Sequence, residues 1–105
     1  MSADPSLVRV PDLIDTVRDI VADVLMIPPG DAHPETALYD LGAESIDYLD
    51  LIFRIEEAIG AKIPVSRWEA FIRERLPGAD LTRAITVRIV VEFAERERST
   101  MAPTR

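Results

Sequence analysis

The sequence predicts an all-α fold, a single four-helix bundle with a long first loop and an enlarged third helix. Apolar residues recur at the spacing of an amphipathic helix in four separate segments. Prolines and glycines stand between these segments, and 105 residues are enough for one hydrophobic core. We therefore expect a folded domain over residues 11–98, with a flexible lead-in at residues 1–10 and a flexible tail at residues 99–105.

The first helix is predicted to begin at Pro11, because proline suits the first helical position. Asp12 and Asp15 follow in the first turn, where acidic side chains favour the positive end of the helix dipole. The helix should run to about Met26. Its core-facing stripe consists of Leu13, Val17, Ile20, Val21 and Val24.

A long loop is predicted after this helix. Residues 28–30, Pro-Pro-Gly, stop the helix, and the chain then shows no helical period as far as Ala43. Loops of this length in compact domains are functional or pinned by side chains, and Leu38 and Leu41 are the expected pins. His33, the only histidine, lies here with no second histidine or cysteine to share a metal. We expect it to be structural or exposed, because a general base needs a positioned partner.

The second helix is predicted from Ser45 to Ile59, and Gly60 ends it as the residue after the last turn. Its core-facing stripe consists of Tyr48, Ile52, Ile55 and Ile59, widened by Leu49 and Phe53. Its outward face consists of Asp47, Asp50, Arg54 and Glu57.

The third helix is predicted to begin at a capping box formed by Ser66 and Glu69, and to end at Pro77 and Gly78. Its apolar stripe consists of Val65, Trp68, Phe71, Ile72 and Leu76. The helix is also basic, with Arg67, Arg73 and Arg75.

The fourth helix is predicted from a cap at Asp80 to about Glu97. Residues 86–91 are rich in β-branched side chains and would suit a strand on propensity alone. A helix is favoured by the length of the segment and because no second strand is available to pair with it. Its apolar stripe consists of Leu81, Ala84, Ile85, Val87, Val91 and Ala94.

The composition excludes several classes of function. The chain has no cysteine, so disulfides and thiolate nucleophiles are absent and any thiol chemistry requires a prosthetic group. A net charge of −7 argues against a nucleic-acid partner, whose phosphates need a basic footprint. No apolar run approaches the roughly 18 residues of a membrane span. We expect a cytoplasmic monomer without a membrane span.

Negative charge is concentrated in the middle of the chain. Residues 31–60 hold eight acids and one base, Arg54, whereas bases outnumber acids nine to six from Lys62 onward. An acidic face would steer the protein onto basic patches of partner proteins. A solvated face that keeps a small protein in solution is the alternative interpretation.

The candidate functional site lies within residues 40–51, where a glycine-containing turn leads directly into the second helix. Ser45 falls in the first exposed turn of that helix. A primary alcohol can form a phosphodiester, and a phosphate at a helix N-terminus meets free backbone N–H groups and the positive end of the dipole. The residues alone leave a second role open, since serine is also one of the best capping residues.

Residues 40–64 resemble, without a gap, the attachment motif of acyl carrier proteins and related carrier domains, in which an Asp-Ser-Leu triplet opens the second helix. In that family the serine carries a 4′-phosphopantetheine arm. The resemblance implies that a phosphopantetheinyl transferase uses coenzyme A to modify Ser45, and that the arm then holds an acyl group as a thioester. The chain departs from the motif at Glu44, where Asp is usual, and at Ile46, where Leu is usual.

The same resemblance implies a recognition surface on the second helix. The positions that match partner contacts in the family are Glu44, Ile46, Asp47 and Asp50. The expected partners are the transferase and the acyl-transfer and chain-extending enzymes, which would present basic docking patches. The candidates to line a space for the acyl chain are Phe53, Trp68, Phe71 and Ile85.

We therefore expect a carrier, and not an enzyme, in fatty-acid or lipid biosynthesis. Ser45 lacks a Gly-x-Ser-x-Gly context and metal-hydrolase motifs are absent, so we predict no catalytic residue and no metal ligand. Trp68, four residues beyond Pro64, and the longer segment after it resemble specialised carriers of very-long-chain hydroxylated fatty acids for lipid A. Core packing and lineage variation explain both features equally well. The alternative functions are a polyketide or aminoacyl carrier, and an unmodified helical adaptor that acts through its acidic second helix.

Overall fold

The computed structural model describes residues 13–78 and 81–100, and these residues form the predicted all-α fold. The four long helices are α1 (Leu13–Leu25), α2 (Ser45–Ile59), α3 (Val65–Arg75) and α4 (Val87–Thr100). Two 3-10 turns, Pro29–Asp31 and Leu38–Leu41, and a helical turn, Leu81–Ala84, lie in the connections. α4 includes residues 99 and 100, which were assigned to the tail. The predicted lead-in, the helix start at Pro11 and Asp12, the cap at Asp80 and residues 101–105 lie outside the described residues.

The helices bury one continuous core around an aromatic cluster. Phe93 of α4 is fully buried and packs against Trp68 and Phe71 of α3, with ring centroids 5.0 and 5.2 Å apart. Aromatic pairs at these distances add stability beyond the apolar area that they bury. The sequence predicted the two α3 residues in the core but missed Phe93. The buried residues of α1 are Leu13, Val17, Val21 and Ala22.

The buried face of α2 differs in part from the predicted stripe. The four central positions of that stripe are buried or half-buried: Tyr48, Ile52, Ile55 and Ile59. The prediction that Leu49 and Phe53 widen the stripe is wrong, because these side chains are 50% and 57% exposed. Phe53 lies nearly opposite Ile55, since two residues rotate an α-helix by about 200°. Leu51 is buried instead, at 2% exposure, because it stands four residues before Ile55 on the same face.

α3 begins at Val65, and its start is not the predicted capping box. Pro64 is the N-cap residue, in an extended conformation with φ −61° and ψ 139°. Its carbonyl accepts the N–H of Arg67 at 2.9 Å, so Ser66 already lies inside the first turn. The prediction of a Ser66–Glu69 box is wrong because the fixed φ of the proline and its free carbonyl start the helix earlier.

Ion pairs join the basic α3 to α4. The Arg75 guanidinium donates to both carboxylate oxygens of Glu92, at 2.8 and 3.2 Å, and this pairing lowers the pKa of Glu92. Arg67 donates to Glu97 at 3.1 Å, and the charged Glu97 side chain is buried. Two of the three arginines that make α3 basic therefore serve the packing of the bundle.

The predicted fourth helix is interrupted before Val87. The helical turn Leu81–Ala84 is followed by a non-helical Ile85 and by Thr86, which forms an isolated antiparallel bridge with the first loop. Thr86 caps α4, since its hydroxyl accepts the N–H of Ile89 at 3.2 Å. The N–H of Val87 donates to a carbonyl of the first loop at 3.1 Å. The break therefore occurs because the backbone at the start of α4 pairs with the loop.

Side chains and backbone hydrogen bonds fix the long first loop on the bundle. Leu38 is fully buried, as predicted for a pin, and its N–H donates to the carbonyl of Ile85 at 2.9 Å. Leu41, the other predicted pin, is half-buried against the core. Arg18 of α1 donates to the carbonyl of Ala32 at 3.0 Å. The loop therefore delivers the chain to the start of α2 in a defined position. None of the helices described has the length and apolar character needed to cross a membrane.

Candidate functional site

Ser45 stands at the start of α2, where a sharp turn presents it to solvent. The turn Leu38–Leu41 ends at Gly42, whose φ of +94° lies in the left-handed region that favours glycine. Ala43 is buried, and its N–H donates to the carbonyl of Leu38 at 3.1 Å, which folds the chain back toward α2. Ser45 is the first helical residue and is exposed. It therefore lies in the first exposed turn, where the sequence analysis located it.

The N-cap residue of α2 is Glu44, and not Ser45. The N–H of Glu44 donates to the Asp47 carboxylate at 2.8 Å, and its carbonyl accepts the N–H of Asp47 at 2.9 Å. The Ser45 hydroxyl has no hydrogen-bond partner among the residues that the structure describes. The alternative role of Ser45 as a capping residue is therefore excluded, and its hydroxyl is accessible from outside.

The four residues predicted to meet partner enzymes divide into two pairs. Glu44 and Ile46 are exposed, and 69% of the Ile46 surface is open to solvent. Asp47 is half-buried and caps the helix, while Asp50 accepts a hydrogen bond from Arg54 at 3.4 Å. Arg54 also pairs with a carboxylate of α1, and these pairings raise the pKa of the guanidinium. The acidic face is therefore partly neutralised by its own arginine.

A groove of about 710 Å³ opens beside Ser45 and is lined by the end of the first loop, α2, α3 and the segment before α4. Its walls are mostly apolar and aromatic: Tyr48, Leu49, Val65, Trp68, Ile72 and Ile85. Three exposed charged side chains also line it: Glu44, Glu69 and Arg73. Clefts of this size with apolar walls hold small ligands. The site thus combines a free hydroxyl with an adjoining space for an apolar group.

Tyr48 contributes to the groove wall, and its hydroxyl is buried without a partner among the described residues. It is shielded from solvent and accepts or donates no hydrogen bond among the described residues. The Tyr48 ring stacks on Trp68, with centroids 6.3 Å apart and an interplanar angle of 24°. Burial, with a smaller effect of the Asp47 carboxylate, raises the pKa of Tyr48. Leaving such a group unpaired costs about 1–3 kcal/mol.

Two of the four residues predicted to line an acyl space do line this groove, namely Trp68 and Ile85. The prediction for Phe53 is wrong, and Phe71 lies in the bundle interior but is not among the residues that line this groove. Phe71 packs inside the core, and Phe53 is exposed on the outer side of α2. Tyr48 was assigned only to the core, because the periodicity of one helix cannot show where two helices leave a gap.

His33 is exposed in the first loop and is not among the residues that line the groove with Ser45. Residues 13–78 and 81–100 contain no group of three or more His, Cys, Asp or Glu side chains placed to hold a metal ion. The chemistry available at the groove is therefore that of the serine hydroxyl and of the groove walls.

A free serine at a helix start beside an apolar groove is the arrangement of a carrier domain. The family model described as "phosphopantetheine attachment site" matches residues 15–69. The acyl carrier protein AcpXL of Brucella melitensis biotype 1 is 39% identical over 61 residues, which cover 57% of this chain and 66% of that protein. AcpXL of Rhizobium meliloti is 37% identical over 67 residues, which cover 63% of this chain and 70% of that protein.

The chain belongs to the phosphopantetheine attachment family, the family of the acyl carrier proteins. Membership implies a covalently attached 4′-phosphopantetheine, as the resemblance of residues 40–64 predicted. The named relatives are carriers, in agreement with the prediction that the chain is not an enzyme. Carrier proteins of this family interact with phosphopantetheinyl transferases and with acyl-handling enzymes in general. The match with the Brucella protein spans just under two thirds of that relative.

Proposed function

We propose that this chain is an acyl carrier protein that holds acyl groups as thioesters on a 4′-phosphopantetheine arm attached to Ser45. The observation that carries the proposal is the Ser45 hydroxyl, which is exposed and unbonded at the start of α2, beside the apolar groove. Capping by Asp47 leaves this hydroxyl free to accept the modification.

The residues at the site fit the phosphate end of the arm. The N–H groups of Ser45 and Ile46 are in the first turn, where no carbonyl of the helix can accept them. A phosphodiester on Ser45 would meet these donors and the positive end of the helix dipole. Glu44 and Asp47 lie close to the same position, so their negative charge would oppose an unassisted reaction, and a separate transferase is required to install the group.

The residues at the site also fit the acyl end. When attached, the arm supplies a terminal thiol, which this cysteine-free chain lacks. The groove walls would take the first part of an acyl chain out of water, a transfer that is favourable by about 0.8 kcal/mol per buried CH₂. The chain itself therefore shields part of the acyl group from water and presents its thioester, while partner enzymes catalyse the reactions.

We further propose that transferase and acyl-handling enzymes dock on α2 through basic patches, with Glu44 and Ile46 as the first contacts. Both side chains are exposed, whereas Asp47 and Asp50 already have partners within the chain. Asp47 and Asp50 would add electrostatic attraction without a direct contact. Location in the cytoplasm and a monomeric state stay predictions.

The cargo that we propose is a fatty acyl chain for lipid synthesis, of the very-long-chain hydroxylated type used in lipid A. Support comes from the AcpXL relatives of Brucella and Rhizobium and from Trp68, which belongs to the groove wall. No feature of the groove favours a polyketide or aminoacyl cargo in particular.

The test is the intact mass of the protein after incubation with a broad-specificity phosphopantetheinyl transferase, magnesium and coenzyme A. We expect one added phosphopantetheine on the wild-type chain and none on Ser45→Ala. Ser66→Ala is a matched control, because Ser66 is also an exposed serine in the first turn of a helix. It should be modified like the wild type. An unchanged mass of the wild type, or an equal gain on Ser45→Ala, would reject the proposal.

A further inference from the structure

Arg73 is the only base among the described residues that line the groove, and no group in the described part of the chain pairs with it. Arg67 and Arg75, the other arginines of α3, pair with α4. The remaining arginines that the structure describes also have interaction partners. The exposed guanidinium of Arg73 therefore offers free N–H donors to a group in the groove.

The course of α3 carries Arg73 toward the end of the groove at the start of α2. Just before α3, the N–H of Ile63 donates to the carboxylate of Glu56, near the C-terminal end of α2. One turn into α3, the Trp68 ring stacks on Tyr48, which lies about 12 Å nearer the start of α2 than Glu56 does. The chain therefore runs back along α2, and Arg73 follows about 7.5 Å further along α3.

A phosphate on Ser45 has a position that does not depend on the length of the arm. A single ester bond joins it to the serine oxygen, so it lies in the groove that Ser45 and Arg73 both line. Its non-bridging oxygens share a negative charge, and a guanidinium binds such oxygens through parallel N–H donors. Glu44 and Asp47 repel the same charge from the α2 side. The phosphate is therefore attracted toward the α3 side of the groove.

We propose that Arg73 is a phosphate-binding residue of the carrier, whose guanidinium donates hydrogen bonds to the non-bridging oxygens of the phosphodiester on Ser45. This inference rests on the proposed attachment of the arm to Ser45. The pairing joins α3 to the start of α2 through the prosthetic group and directs the arm across the groove. The third arginine of the basic α3 thus acquires its partner only when the chain is modified.

The experiment compares three proteins before and after modification. Wild type, Arg73→Met and Lys62→Met are incubated with the transferase, magnesium and coenzyme A until the intact mass shows complete conversion, so differences in reaction rate do not enter. Lys62→Met is the matched control, because Lys62 is an exposed base without a partner among the described residues and does not line the groove of Ser45. The readouts are the thermal unfolding midpoint of each form and the phosphorus NMR chemical shift of the phosphodiester.

We expect modification to raise the unfolding midpoint of the wild type by about 2–5 °C more than that of Arg73→Met, as for an exposed ion pair. Comparison of the two forms of each protein cancels any effect of the substitution on the unmodified fold. Lys62→Met should behave like the wild type, and Arg73→Lys, which loses the parallel donors, should keep part of the difference. The phosphorus shift of Arg73→Met, but not that of Lys62→Met, should move toward the value of the urea-denatured protein.

The role of Arg73 is overturned if the wild type and Arg73→Met respond equally to modification, or if Lys62→Met loses as much as Arg73→Met. A second loading, from octanoyl-coenzyme A, separates the phosphate from the cargo. An effect of Arg73→Met that appears only with the octanoyl group overturns the proposal, because the arginine would then contact the acyl end.

Failure of this inference is distinguishable from failure of the proposed function. Complete conversion at Ser45 with no dependence on Arg73 rejects only the phosphate-binding role. If no protein gains mass, both proposals are rejected together. Arg73→Met removes an exposed side chain without a partner among the described residues, so the unmodified variant should fold, and its unfolding midpoint verifies this directly.

Discussion

Asp47 was predicted to contact partner enzymes, yet in the structure its carboxylate holds the N–H of Glu44 at 2.8 Å. An acid three residues into a helix that satisfies the N-cap N–H is one half of a capping box. This arrangement lets an exposed glutamate occupy the N-cap while Ser45 keeps its hydroxyl free. The conformation of Glu44, the residue before Ser45, therefore depends on Asp47.

We predict that Asp47→Ala lowers the free energy of unfolding by about 0.5–2 kcal/mol, because the N–H of Glu44 loses its acceptor. Asp50→Ala removes an equal charge from the same helix, but Asp50 makes only a surface pair with Arg54. That change should cost less than about 1 kcal/mol. Urea denaturation of the unmodified proteins measures both values. Equal losses in the two variants would mean that Asp47 acts only through its charge.

At the scale of helices, the packing of α3 on α4 depends on a charged pair at its edge. Glu97 is buried, with a side chain 6% exposed, and Arg67 is the partner that donates to it. Removal of one member of such a pair leaves the other charge poorly solvated, and this loss exceeds the net value of the pair itself. The arginine is half exposed, which moderates the effect.

We predict that Arg67→Met lowers the free energy of unfolding by about 1–3 kcal/mol, because the Glu97 carboxylate is left buried without its donor. Arg73→Met is the matched change on the same helix. Arg73 is exposed and has no partner among residues 13–78 and 81–100, so its loss should stay within about 0.5 kcal/mol. Chemical denaturation compares the two, and Glu97→Gln should rescue part of the Arg67→Met loss. Similar small losses in both variants would contradict a structural role for Arg67.

At the scale of the whole molecule, the net charge of −7 is less informative than its arrangement. Arg54 is the base that joins Asp50 of α2 to Asp23 of α1. It reduces the field of the face that would attract a basic patch. A partner that docks on this face has to compete with an internal cation.

We predict that Arg54→Ala raises the second-order rate constant for modification by the transferase about two- to fivefold at low salt, because Asp23 and Asp50 become free to attract the partner. The gain should vanish near 1 M salt, where the screening length is about 3 Å. Arg88→Ala gives the same net charge, but Arg88 is on α4 and pairs with Glu35. It should accelerate the reaction less. Equal acceleration in both variants would indicate that net charge, and not the α2 face, governs docking.

Sequence reasoning succeeded where one segment determines its own structure. The periods of α1 to α3 and the turn at Gly42 are local, so the helices and the position of Ser45 were predicted. Sequence reasoning failed where contacts with a second segment determine the local structure. The break before α4 arises from hydrogen bonds between Val87 and the first loop, and the exposure of Phe53 depends on which side of α2 the neighbours cover. The groove beside Ser45 depends on several segments at once, which explains why Tyr48 was assigned only to the core.

The stacking of Tyr48 on Trp68 has an optical consequence. Trp68 is the only tryptophan of the chain, it is 8% exposed, and it belongs to the groove wall. The emission of an indole shifts in wavelength with the polarity of its surroundings and is quenched by neighbouring groups. Any group that enters or leaves the groove therefore changes both the wavelength and the intensity of the Trp68 emission. The protein therefore contains its own fluorescent reporter, and the occupancy of the groove can be followed in real time without a label.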